Sequence, residues 1–559
     1  MRRTATAVLA MTLCIPVPLR AQTKLVESIE VRIANVDVVV TDRAGNPIVG
    51  LTKDDFEVYE NGKPQTITNF YEVRPESVAA PAGVPQADDT VPAEARRRRI
   101  VFFIDNSSLH PLRRNEVFAS VEKFLDKLFR PGDQAMVMAW NRGLHVIVPF
   151  TDDAARIRKG LDNASRLSGG GVQMESDKTQ FRRDIQDMID NARAASHGSR
   201  GSQSVEMQSV YDQSLSMARA HAESLYQDEK ALTAAMSTMI TTLAGLEGKK
   251  AMVFIGGQLP DKPGLDMFQW VDQTFAALLP VVPTAYREAG RFSLSNELER
   301  VAKQANANNV TMYLIDGADP TKGTVGDVTS NEPSDPTVDF IDFTSTANVF
   351  GVMAQMTGGI ALMRTNNFDL ALNTVARDLG AYYSLGYRQQ DDTPGDRKVL
   401  VKTKNPEFRV RSRKTYVAKT AEDQTKDRVI SNAFHSQIKG DIQVTLTSTR
   451  PIAVDKGRFK VPVHITFPSD LTLLPQGDTL VGGFTLYIAV VDDNAAMSPV
   501  TKRTQTLKLK RADEALLRSR PISLTAEVLV SRGEHYISVA IVDDIANTTG
   551  YSRTRIAAQ

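Results

Sequence analysis

Arg99-Ile-Val-Phe-Phe-Ile-Asp105-Asn-Ser107-Ser-Leu109 decides the fold of this chain. An unbroken apolar run that stops on an aspartate and hydroxyl residues reads as a strand buried on both faces, in the middle of a parallel sheet. Polar residues just past the carboxyl end of such a strand sit in the crevice where open α/β sheets bind ligands. Asp105 and Ser107 are spaced to offer two oxygens to one hard cation, as Mg²⁺ or Ca²⁺ would require.

Outward from this run, strands alternate with helices from residue 99 to about 390. The spacing predicts strands at 100–104, 135–140, 145–148, 251–255 and 310–315, with helices at 114–128, 153–166 and 295–307. That alternation implies a mostly parallel, doubly wound Rossmannoid sheet with right-handed crossovers. Residues 175–247 break the rhythm. Rich in Ala, Met, Gln and Glu, they read as an inserted helical hairpin with a loop at 196–204. Met207, Met217, Met236 and Met239 read as its ordinary core. After Thr357-Gly358-Gly359, a helix at 368–378 and antiparallel strands at 381–387, 398–402 and 408–411 are expected to extend the sheet.

The flanks are all-β. Residues 26–73 alternate in a strand-like way around two turn signals, Asp42-Arg-Ala-Gly45-Asn-Pro47 and Asn61-Gly62. They read as a small N-terminal module. Residues 76–95, rich in Pro, Ala and acids, read as a flexible linker, and Arg96 to Arg99 as a solvated entry to the next strand. Near the C-terminus, Leu486-Tyr-Ile-Ala-Val-Val-Asp492-Asp493 resembles Tyr536-Ile-Ser-Val-Ala-Ile-Val-Asp543-Asp544. Two such strands fit an immunoglobulin-like β-sandwich, with the aspartate pairs forming turns rather than Ca²⁺ sites. The expected plan is multi-domain α/β plus all-β. It comprises a signal peptide at 1–21, the β module at 22–75, a linker at 76–98, the α/β domain at 99–418 and the sandwich at 430–559.

Composition narrows the function. A length of 559 residues calls for three or four domains. With 67 basic against 66 acidic residues, no nucleic-acid or membrane-surface binding driven by bulk charge is expected. Met1-Arg2-Arg3, an apolar segment at 5–17 and Leu19-Arg20-Ala21 read as a signal removed after Ala21. The chain is therefore expected to be exported, to the periplasm, the outer surface or the medium. No later stretch approaches the ~20 apolar residues that span a bilayer. The single cysteine, Cys14, lies in the signal behind Leu13, where lipidation is not expected. A mature chain without cysteine has no disulfide, thiol chemistry or cysteine-ligated metal.

Catalytic motifs do not emerge. His110, His145, His197, His221, His435, His464 and His535 are scattered and form no metal-ligand spacing. There is no Gly-x-Ser-x-Gly elbow and no Walker-type loop. His110 and Ser107 are close in sequence, but a base–nucleophile pair is not expected from proximity alone. The chain is not expected to be an enzyme.

Several motifs together carry a resemblance: residues 36–40 through Asp55-Phe56 and Asn61-Gly62, then Ile104-Asp105-Asn106-Ser107, Tyr313-Leu-Ile-Asp316, Thr357-Gly358-Gly359 and Ala381-Tyr-Tyr-Ser-Leu-Gly-Tyr387. The α/β region resembles a von Willebrand factor A-type (VWA) domain. Residues 26–416 are similar to a bacterial group of exported VWFA-related proteins, found mainly in acidobacteria. The family's metal site, where present, uses Asp-x-Ser-x-Ser, a threonine from a second loop and an aspartate after the fourth strand. Here Leu109 stands at the second serine, Ser168-Gly-Gly-Gly171-Val172 supplies no threonine, and the fourth strand ends Ile255-Gly256-Gly257-Gln258. Asp105 and Ser107 are what is left of the set.

The resemblance implies a non-enzymatic module that binds a protein partner through its upper loops. The expected contacts are Asn106, Ser108, His110, Gly170, Gly171, Gly256, Gly257 and Gln258, without a cofactor. One alternative is an adhesion module dependent on Mg²⁺ or Ca²⁺ held at Asp105 and Ser107. Another is a structural or assembly component of the cell envelope.

Overall fold

The computed structural model describes residues 10–12, 33–74, 97–166, 170–195, 200–318, 336–363, 365, 367–389, 393–435, 438, 440–455, 457–492 and 495–559. The expected linker falls almost wholly outside this set. The chain forms two compact units, one of residues 32–237 with 247–418, the other of 1–31, 238–246 and 419–559.

The first unit is built on a six-stranded sheet. Its strands are β1 (Arg98–Asp105), β2 (Gln134–Trp140), β3 (Leu144–Thr151), β4 (Lys249–Gly256), β5 (Val310–Asp316) and β6 (Ala361–Leu362). Its helices are α1 (Pro111–Leu128), α2 (Ala154–Ser165), α3 (Gly171–Ala195), α4 (Arg200–Leu243, whose residues from 238 on fall in the second unit), α5 (Leu265–Phe275), α6 (Ser295–Ala307), α7 (Pro336–Thr357) and α8 (Phe368–Gly380). All eight residues of β1 are buried, as its apolar run demands. Ile100, Phe102 and Ile104 enter a core with Val117 and Phe124 of α1 and Leu372 of α8. On the other face, Phe103 lies 5.9 Å from Phe254, which meets Phe350 of α7 edge-on. Each such buried side chain contributes roughly 1.5–3 kcal/mol, so β1 is the strand the rest assembles around.

The strands lie in the order β3-β2-β1-β4-β5-β6. All neighbours are parallel except β2 and β3. The chain winds outward from β1 in one direction and from β4 in the other. Its order therefore reverses between β1 and β4, which is where a doubly wound sheet opens a crevice beyond its carboxyl edge.

The predicted hairpin is present as α3 and α4, the latter 44 residues long. It has a core of its own, in which Phe181 and Ile185 of α3 meet Met207 and Tyr211 of α4 and Phe268 and Val271 of α5. Met207, Met236 and Met239 are buried, as ordinary helix core.

The strands after residue 380 do not extend this sheet, and 22–75 is not a separate module. Ile33–Thr41 pairs with Tyr382–Arg388 and Arg409–Ser412, Ile67–Val73 pairs with Tyr382–Arg388, and Phe56–Glu60 pairs with Gly395–Thr403. Two four-stranded sheets result, each mixing both ends of this unit. Their core joins Val36, Val38 and Phe56 to Tyr383, Leu385 and Val401. The short edge strand β6 already closes the parallel sheet on that side, so antiparallel strands from far upstream supply the partners instead.

Arg98 and Arg99 are not a solvated entry either. Both are buried at the start of β1, where Arg98 forks onto the Asp133 carboxylate, its Nε 2.7 Å from Oδ1. Arg99 donates to the Glu247 carbonyl.

In the second unit, two five-stranded antiparallel sheets share one apolar core. The repeated segments are neighbours in one sheet, with Leu486 opposite Ile541 and Asp492 opposite His535. Asp543 accepts backbone N–H groups from Thr472, Ile545 and Ala546, the turn-forming role expected of it. Asp493 lies outside the described residues. Helix Ala421–His435 covers the same sheet through Val429, Tyr487 and Ala540. Ala10–Thr12, inside the expected signal, forms a short strand on the edge of Ile522–Ser531. No helix among the described residues is long and apolar enough to cross a membrane.

Candidate functional site

Asp105 ends β1 and Gly256 ends β4, so both stand at the switch point. The turn after Asp105 folds back on its own carboxylate. Ser107 N–H donates to Oδ1 at 3.0 Å, and the Ser108 hydroxyl donates to Oδ2 at 2.5 Å. Asp105 is 1% exposed, and burial pushes its carboxyl up to about 6 against the pull of these hydrogen bonds. Ser108 Oγ also accepts the Gly257 N–H at 2.8 Å, tying the β4 loop to the β1 loop. Ser107 Oγ accepts the Arg142 N–H at 3.3 Å.

The glycines serve close approach between loops. A Cβ on Gly170 would lie 2.7 Å from the Ser107 carbonyl oxygen, and one on Gly171 2.6 Å from that of Leu109. On Gly257 it would lie 2.5 Å from the Ser108 carbonyl oxygen, and on Gly256 2.9 Å from the Phe254 ring. Such approaches exclude side chains, so Gly170, Gly171 and Gly257 let the three loops pack backbone to backbone, while Gly256 makes room for the Phe254 ring. Ser168 and Gly169 lie outside the described residues.

Other expected contacts divide. Asn106 is buried, its Oδ1 accepting from Arg114 and its carbonyl from Gly170 N–H. His110 is exposed, but its Nδ1 accepts the Leu112 N–H as the N-cap of α1. No hydrogen bond joins His110 to Ser107 among the described residues. Gln258 is half-buried and donates toward the Met174 sulfur. Leu109 is fully buried in the core with Ile104 and Val117.

What the sheet edge does present is a cleft of about 240 Å³. Asp105, Ser107 and Ser108 line one side, Trp140 ends β2 and Arg142 follows it, and α3 and α4 supply Met174, Asp177, His221, Leu225, Asp228 and Glu229. Glu229 is 8% exposed, and its Oε2 has no hydrogen-bond partner. Burial pushes its carboxyl well above the ordinary range, with repulsion from Asp105 and Asp228 adding to the shift. Burial also lowers His221, whose Nε2 is unpartnered.

Sequence reading passed over Glu229. Leu225, Glu229 and Leu232 recur at i, i+4 and i+7, so they share one helix face. A lone acid on an apolar stripe was the available signal.

Both Asp105 oxygens are engaged within the loop, and the second and fourth loops contribute packed glycines where oxygen donors would be needed. Among the described residues, no three His, Asp or Glu side chains are grouped to hold a metal ion.

No family model matches this sequence, and no curated protein matches it. Some solved structures are similar in part. An aerotolerance-related membrane protein from Bacteroides fragilis shares 12% identity over 51% of this chain and 98% of its own, with a TM-score of 0.24. For the conserved hypothetical protein BatB from Bacteroides thetaiotaomicron the values are 10%, 51%, 97% and 0.22. Three N-terminal domains of the type V pili tip protein Mfa5 from Porphyromonas gingivalis give 11%, 96%, 78% and 0.25. The doubly wound fold follows from the strand order itself.

Proposed function

We propose that this chain is an exported, non-enzymatic binding protein related to the VWFA-related group, and that its α/β unit engages a protein partner at the carboxyl edge of its sheet without a metal. The observation that supports this most is the cleft between the Asp105 loop and α4, open beyond the carboxyl ends of β1 and β2. A rigid sheet holds its floor, and the glycine-packed loops keep its shape. The Asp105 oxygens are already taken up inside the loop, which favours direct contact over a metal bridge. The C-terminal sheets, in this reading an immunoglobulin-like sandwich, serve as a spacer or a second contact surface.

The test is affinity capture from an envelope extract with tagged residues 22–559, in Mg²⁺ and in EDTA, beside a Ser224→Trp variant. Ser224 is an exposed α4 residue on the cleft, so the indole obstructs the opening without entering the core. A partner held equally with and without EDTA and lost with Ser224→Trp supports the proposal. Retention by Ser224→Trp, or loss in EDTA alone, overturns it.

A further inference from the structure

We infer that the cleft takes a cationic side chain, lysine or arginine, of the protein partner, so that the site recognises positive charge directly. This rests on the protein-binding proposal above and names the chemistry of the partner. Carboxylates are present at two depths. Asp105 and Glu229 are buried within the cleft, and Asp177 and Asp228 stand nearer the solvent.

An acidic cluster alone would be a solvated surface. Here one oxygen, Glu229 Oε2, is buried without any hydrogen-bond partner. Leaving such a group unmatched costs roughly 1–3 kcal/mol, and a donor brought in from outside recovers it.

The walls distinguish a side chain from a metal ion. Trp140, Met174 and Leu225 line the cleft and give an aliphatic stem apolar surface. A volume of about 240 Å³ is far more than a bare ion needs. The rim already holds one guanidinium, for Arg142 Nε lies 3.8 Å from Asp228 Oδ2 with its side chain 74% exposed. Arg142 and His221 are the basic residues lining the cleft, and burial favours the neutral form of His221. Negative charge is therefore in excess once Asp105 and Glu229 ionise. At pH 7 Asp105 is already largely ionised, so a bound cation displaces the proton of Glu229, and binding is coupled to proton release.

The experiment titrates the full chain at pH 7 with acetyl-Gly-Arg-Gly-amide, acetyl-Gly-Lys-Gly-amide, the neutral norleucine peptide, MgCl₂ and CaCl₂. Calorimetry in two buffers of different ionisation heat counts the protons released. Both cationic peptides should bind with proton release and the neutral one should not. Glu229→Gln should weaken them about tenfold and remove most of the release, as expected for one charge-assisted hydrogen bond. Asp228→Asn, at the half-exposed rim, should weaken them less and guards against misfolding of the Glu229 variant. Equal affinity for the neutral peptide, binding unchanged in both variants, no peptide binding, or a Mg²⁺ or Ca²⁺ isotherm abolished by Glu229→Gln overturns the inference. The two proposals fail separately. A captured partner indifferent to Glu229→Gln and Asp228→Asn removes the cation site and leaves protein binding standing. Peptide binding with no captured partner does the reverse.

Discussion

The Ser108 hydroxyl lies 2.5 Å from Asp105 Oδ2 and accepts the Gly257 N–H at 2.8 Å, so one side chain joins the ends of the two strands that flank the switch point. The same bond consumes an oxygen that a cation would need. The two loops are thus tied together through a single hydroxyl.

Asp105 should make stability depend on pH. Its folded carboxyl titrates at about 6 against an ordinary 3.8, so the native state keeps a proton that the unfolded chain has lost. Stability should fall as pH rises through that window, with a cost of about 3 kcal/mol fully present above it. Asp105→Asn should therefore melt higher than the parent at pH 8, and the gap should close toward pH 4. Parallel melting curves across that range would contradict this.

An aspartate placed at the end of β4 should not create a metal site. A Cβ on Gly256 would lie 2.9 Å from the Phe254 ring and 3.2 Å from Asp105 Cβ, so Gly256→Asp must displace one of them. The expected result is a loss of about 1–3 kcal/mol in chemical denaturation and no Mg²⁺ isotherm. Acquisition of Mg²⁺ binding at unchanged stability would refute the packing argument.

Arg98 and Asp133 form a buried pair, their side chains 6% and 5% exposed. Removing one partner leaves an uncompensated charge, so Arg98→Met or Asp133→Asn alone should cost about 3–5 kcal/mol. The double variant Arg98→Met/Asp133→Leu should recover much of that loss. Additive losses in a double-mutant cycle would show that the pair is not coupled.

The strands at 33–73 should be indispensable to the α/β unit. Tyr383, buried with Val36 and Phe56, donates to the Ile48 carbonyl at 2.9 Å and accepts the Leu51 N–H at 3.1 Å. A chain beginning at residue 97 would expose both edges of Tyr382–Arg388, an invitation to aggregate. It should elute in the void volume during gel filtration, whereas Tyr383→Phe should stay monodisperse and lose about 1 kcal/mol. A monodisperse truncated chain would show that the α/β unit folds without them.

Much of the fold was legible because its signals are local. A run such as 100–104 has no stable place but a central strand, and its burial on both faces follows from composition alone. The alternation of strand and helix then led to the doubly wound sheet, and the polarity of 175–247 to the helical hairpin. The motifs Thr357-Gly358-Gly359 and Tyr382-Tyr383 were equally visible, but their roles were not. Thr357 Oγ1 accepts the Met312 N–H, and a Cβ on Gly359 would meet the Met312 carbonyl, so this motif seats α7 against β5.

By itself the sequence determined what each segment is: which runs are buried strands, which are amphipathic helices and where turns must fall. Those properties depend on neighbours a few residues apart. Tertiary structure alone decided who pairs with whom. It set Ile33–Thr41 beside Tyr382–Arg388, turned the loop glycines inward as packing, and placed Glu229 of the inserted helix in a cleft with Asp105. Hydrogen-bonded edges and buried carboxylates are matched across hundreds of residues by burial and geometry, and no periodicity along the chain records that match.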